Sequence, residues 1–126
     1  MPSVGILQRD ADGAHGFEGK RLPTGDAKIP FLVSAPTMRV SGDVSETVNV
    51  CLAFRAALIV VLAHNRSSDN PIRTVLVPGM GTGIGRVPPA RAARQMQSAY
   101  DTVLTHRGSN MFDARRILRQ HRDLLA

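Results

Sequence analysis

The chain has 126 residues, 43% of them apolar and 21% charged, enough for one folded core and too few for two. Its one cysteine, Cys51, excludes an intrachain disulfide and fits a reducing compartment, most simply the cytoplasm. The longest apolar run, residues 56–63, falls far short of the about 20 residues that span a bilayer, and the opening MPSVGILQRDADGAHG holds no signal-peptide core, so no membrane association is expected.

The formal net charge is +6, carried almost wholly by arginine, since Lys20 and Lys28 are the only lysines. Such a balance favours anionic partners. The densest group, Arg107, Arg115, Arg116, Arg119 and Arg122, is interrupted by Asp113 and Asp123 and reads as a solvated helix face. Four Phe, one Tyr and no Trp leave little from which to build a base-stacking platform, so nucleic acid is not the expected partner.

Residues 1–20 carry little pattern and read as a leader or disordered tail, with turns at Asp10, Asp12 and Gly13. Residues 29–35, IPFLVSA, predict a strand covered on both faces and stopped by Pro36. Asp43-Val44-Ser45-Glu46 has the spacing of a capping box, which predicts a helix from there to about His64. Val44, Val48, Cys51, Leu52, Leu58, Ile59 and Leu62 would mark its apolar side. Residues 72–78, IRTVLVP, predict a second strand. Pro88-Pro89 then opens another helix, with Ala92, Ala93, Met96, Ala99, Tyr100, Val103 and Leu104 as its apolar face. Ser109 or Asn110 would cap a last helix running through Leu125. Strands alternating with helices predict an α/β sheet of parallel type.

Between the second strand and the helix at Pro89 lie Gly79, Gly81, Gly83 and Gly85, alternating within nine residues. Glycine lets a ligand approach the backbone closely. Successive amides can form an anion-binding nest, and the following helix adds a positive N-terminal pole. Thr82 brings a hydroxyl and Arg86 a charge, so phosphate or diphosphate is the natural ligand. A nucleotide-triphosphate P-loop is excluded, because no lysine follows Lys28. The GxGxxG dinucleotide fingerprint is excluded as well, because Ile84 and Arg86 stand where its third glycine is needed.

PGMGTGIGRVPPARAARQMQSAY resembles the second ligand loop and following helix of the macro domains. FLVSAPTMRV and VNVCLAFRAAL look like the strand and helix that precede that loop, in the same order. The likeness covers residues 21–104. It implies an α/β macro-domain-like three-layer sandwich, with residues 21–126 forming a partial domain truncated at its N-terminus. The family binds ADP-ribose, and some members hydrolyse ADP-ribosyl or acetylated ADP-ribosyl bonds. Carried over residue by residue, Gly81, Thr82, Gly83, Ile84 and Gly85 fall on the stretch that wraps the diphosphate and distal ribose. ADP-ribose or an ADP-ribosylated protein is the implied partner. The adenine-reading aspartate and the Asn- and glycine-bearing first loop of the family have no counterpart in residues 1–20, so no catalytic residue is assigned.

No resident cofactor or metal is expected, because His15, His64, His106 and His121 lack metal-ligand spacing. Cys51 lies on an apolar helix face and reads as a structural thiol. No GxSxG elbow occurs. Asp26 and Asp43 read as a turn residue and a helix cap rather than an acid/base pair. Three functional readings follow: an ADP-ribose-binding module, an ADP-ribosyl or O-acetyl-ADP-ribose hydrolase, and a basic interaction module acting through the last helix.

Overall fold

A computed structural model describes residues 3–7, 20–38, 42–104 and 122–126. The elements in chain order are β1 (Ser3–Leu7), β2 (Lys20–Pro23), β3 (Phe31–Ser34), α1 (Asn49–Ser67), β4 (Thr74–Leu76) and α2 (Pro89–Leu104). The chain is a mixed α/β fold, as the alternation of strands and helices predicts. Its sheet has the order β2-β3-β1-β4. β1 runs parallel to both neighbours, with Val4 opposite Phe31 on one side and Val75 on the other. β2 runs antiparallel to β3, with Leu22 opposite Leu32.

The central strand thus comes from the segment that sequence patterning reads as a leader or tail. SVGIL is five residues long with a glycine at its middle, so it displays no usable period. Its pairing is set by β3 and β4, both remote in sequence. The two predicted strands are present but shorter, at Phe31–Ser34 and Thr74–Leu76.

α1 lies against β2 and β3, and α2 packs along α1. Val50, Phe54, Ala57, Leu58 and Val61 recur at helical spacing on the buried side of α1 and meet Val33, Ala35, Ala92 and Ala99 in the core. By length and composition, α1 is the one helix among the described residues able to cross a membrane, with a mean hydropathy of 1.4. In this fold 44% of that stretch is buried against the rest of the protein.

The expected capping box does not start α1. The Asp43 carboxylate instead accepts the Ser45 amide at 2.8 Å and the Ser45 hydroxyl at 2.5 Å, a local turn that competes with helix. The Val44 amide donates to Gly85 O at 2.9 Å. That tertiary bond holds the segment outside the helix, which begins only at Asn49 with no side-chain cap from Val48. At the other end, α1 runs past His64 to Ser67. Asn65 then clasps Ile72 from both sides, accepting its amide at 2.7 Å and donating to its carbonyl at 3.1 Å, which turns the chain back toward β4.

The edge strand β2 is tied down by Arg21, whose guanidinium carbon stands 4.7 Å from the Phe31 ring centroid. Arg21 Nη1 donates to His64 Nδ1 at 2.5 Å. Arginine can only donate and a carbonyl can only accept, so His64 Nε2 carries the proton it gives to Asn70 O at 3.2 Å.

On α2, Ala92 and Ala99 are buried as predicted, whereas Ala93 and Tyr100 face outward. Gln95, absent from the predicted apolar face, is wholly buried. Residues 105–121, which hold most of the predicted last helix, lie outside the described residues. Its end, 122–125, is helical, and Leu124 joins the core.

Candidate anion-binding loop

In a parallel sheet, the segments leaving the C-terminal strand ends share one edge of the molecule. Here residues 35–38 follow β3, and residues 77–88 follow β4 and lead into α2. Asn49 at the start of α1 donates through Nδ2 to Thr37 O at 2.8 Å, tying the first of these segments to α1. The Val44–Gly85 bond ties the second to the turn preceding α1.

The glycine-rich loop is anchored at two apolar residues, Met80, which is fully buried, and Val87. Gly81 has a φ of +71°, and a Cβ there would stand 2.8 Å from Val50 Cγ2 and 3.2 Å from Val87 Cγ2. A Cβ on Gly85 would stand 2.6 Å from Gly81 O and 2.8 Å from Val44 Cγ2. Both glycines are therefore demanded by the packing of the loop itself. Two backbone bonds close it, Arg86 N to Gly83 O and Val87 N to Gly81 O, each at 3.0 Å. Arg86 takes the left-handed conformation, φ +57°, as the loop turns toward α2.

Gly83 is different. Its φ lies outside the left-handed region, and nothing stands within 4 Å of a Cβ built on it. Among the described residues, no carbonyl or side chain engages the amides of Gly83, Ile84 or Gly85. Ile84 at the tip is 70% exposed. The five predicted ligand residues thus divide by role. Gly81 and Gly85 shape the loop, and Gly83 and Ile84 form its open face. Thr82 turns its hydroxyl back to Gly79 O at 2.8 Å, so it braces the loop instead of facing outward.

The N-terminus of α2 contributes fewer donors than an ordinary helix. Pro88 and Pro89 have no amide hydrogen, and the first intrahelical bond, Ala92 N to Pro88 O at 2.9 Å, is made as in any helix. The Arg91 side chain is committed to the turn before α1, donating to Ser45 O at 2.6 Å and pairing with Glu46 at 3.3 Å. An arginine in a basic helix carries no distinguishing spacing, so this role is not legible in the sequence. Asp43 lies on the same rim. The Ser45 hydroxyl and then the Ser45 amide hold its carboxyl below the usual range against the opposing effect of burial, with Arg86 adding a smaller push in the same direction. Its negative charge offsets part of what Arg86 brings.

Cys51, buried in the first turn of α1, has its thiol pushed up by burial, opposed by Ser98 and Arg55, and is a poor nucleophile. No group of three His, Cys, Asp or Glu side chains that could hold a metal exists among the described residues. No protein-family model matches the chain, and no curated protein matches it at significant similarity.

Proposed function

We propose that the chain is a macro-domain-like module whose loop over residues 79–87 binds the diphosphate of ADP-ribose, free or carried on a protein. In this reading the sheet and helices are part of a three-layer sandwich of that type. The observation that supports it is Gly83. A side chain at this position would meet no steric or conformational obstacle among the described residues, yet the residue is glycine, and its amide and the next two have no acceptor there. A ligand approaching the backbone accounts for both facts. The contacts come from main chain, so they select for charge and shape rather than for a particular side-chain partner. Cys51 as a buried thiol suits the cytoplasm, where ADP-ribose would be met.

The test is thermal unfolding with millimolar ADP-ribose or adenosine. ADP-ribose is expected to raise Tm and adenosine to leave it unchanged, because only a ligand that binds the folded chain stabilises it. Gly83→Leu should fold with the parent's Tm and lose the ligand shift. An absent shift with ADP-ribose, or one retained in Gly83→Leu, removes the proposal.

A further inference from the structure

Away from the glycine loop, toward the C-terminal half of α1, a groove of about 260 Å³ opens between α1 and α2. Ile59, Leu62, Ala63, Thr102 and Val103 line it, and Arg55 and Arg66 line it from either end of this stretch of α1. Ile59 is 43% exposed, so an aliphatic surface stands open to solvent between the two charges. Arg55 and Arg66 are exposed and have no ion-pair partner among the described residues. Among the described residues, no carboxylate lines the groove. The nearest acid in sequence, Asp101, accepts a hydrogen bond from Gln97 at 3.0 Å.

We infer that this groove docks an acidic segment of a partner protein, one that places apolar side chains between two carboxylates. Charge complementarity selects that occupant. The arginines stand three turns apart along α1, about 16 Å at 1.5 Å per residue. Carboxylates on a helical partner match that span when about eleven residues apart, and on an extended one when about five apart. The sequence between α2 and Arg122 holds Arg107, Arg115, Arg116 and Arg119 against the single acid Asp113. That stretch would bring like charge to the groove, so it is a poor occupant. Nucleic acid is also a poor occupant, because the lining between the arginines is mainly aliphatic and offers no stacking surface. The groove is a separate surface from the anion-binding loop, so this inference stands or falls without ADP-ribose.

The test uses the full chain and a fluorescein-labelled peptide of about twelve residues, with glutamate at both ends and leucines at helical spacing between them. Saturable binding by anisotropy is expected, weakening as salt rises from about 50 to about 300 mM. Arg55→Glu with Arg66→Glu should weaken it at least about tenfold, and Ile59→Ser should weaken it with both charges intact. Each variant's Tm should match the parent, since all three side chains are exposed. Equal affinity for the variants, tighter binding of a lysine-ended peptide, or no saturable binding overturns the inference. An oligonucleotide that binds more tightly than the peptide and is released by the same arginine variants overturns it too. A cysteine introduced by Ile59→Cys should react readily with a thiol reagent in the native chain; protection would show that the chain covers its own groove and would likewise overturn it.

Discussion

The side-chain carbonyl of Gln95 accepts the backbone amide of Cys51 at 3.2 Å, so a residue in the middle of α2 caps the first turn of α1. The same side chain donates from Nε2 to Thr47 O at 3.0 Å and to Leu124 O at 3.2 Å. A buried amide with all three of these bonds made joins both helices, the turn before α1 and the C-terminal helical turn. It also does the work that Val48, with no side-chain oxygen, cannot do for the N-terminus of α1.

Replacing Gln95 should therefore cost more than an apolar-for-polar exchange in a core suggests. Gln95→Leu leaves the Cys51 amide and the Thr47 and Leu124 carbonyls without their partner. At about 1 kcal/mol per bond, the loss is about 3 kcal/mol. Gln97→Leu, two residues along on the exposed face, should change stability by less than about 0.5 kcal/mol. Urea midpoints of the two variants check the contrast, and similar midpoints would contradict the role assigned to Gln95.

The alternating glycines should separate by function when each is replaced by alanine. Gly81→Ala combines a left-handed φ with a clash against Val50, and Gly85→Ala drives a Cβ into Gly81 O. Each should lose about 1–3 kcal/mol. Gly83→Ala meets open space and should leave Tm within about a degree of the parent, the behaviour of an unobstructed surface site. The measurement is Tm by circular dichroism. A Gly83→Ala variant as unstable as the other two would show that the loop needs all three glycines for folding.

Asp43 supplies an acid-sensitive contact. In the folded chain its carboxyl titrates below the ordinary value of 3.8, chiefly through its bonds to Ser45. A depressed acid favours the fold at pH values above its unfolded pKa, and that contribution disappears as pH falls through the folded value. Asp43→Asn should therefore lower Tm at pH 6 and converge with the parent as the pH drops below 3.8 toward the acid limit. The group is exposed, so the offset will be small. Parallel Tm profiles across the whole acid range would contradict it.

The parts of this fold that follow from neighbouring residues are the parts legible in the sequence. Pro89 opens α2 because proline fits the first turn of a helix, and the apolar repeat along α1 is visible without its partners. The glycine loop is visible for the same reason, since four alternating glycines have few other uses. What escaped depends on distant contacts. β1 acquires its place from β3 and β4, and β2 is a basic tetrapeptide ending in proline whose stability comes from Arg21 reaching Phe31 and His64. The Asp43 box fits a helix start by spacing, yet Gly85 O takes the Val44 amide first. Gln95 is not legible as a core residue, because a polar side chain reads as exposed and its three distant partners are what make its burial tolerable. The division of labour among Gly81, Gly83 and Gly85 was equally invisible, since one letter stands for two different physical needs.

The position of β1 between β3 and β4 also bears on how the chain comes into being. A ribosome makes Ser3–Leu7 first, before either strand that will flank it exists. One side of β1 has no partner until Phe31–Ser34 emerges, and the other none until Thr74–Leu76 does. Closing the sheet requires the last strand to find the first across an intervening helix, the kind of distant pairing that slows folding. Until Thr74–Leu76 is made, one side of β1 stays open to pairing with another chain, so this edge is a point of exposure to aggregation during synthesis.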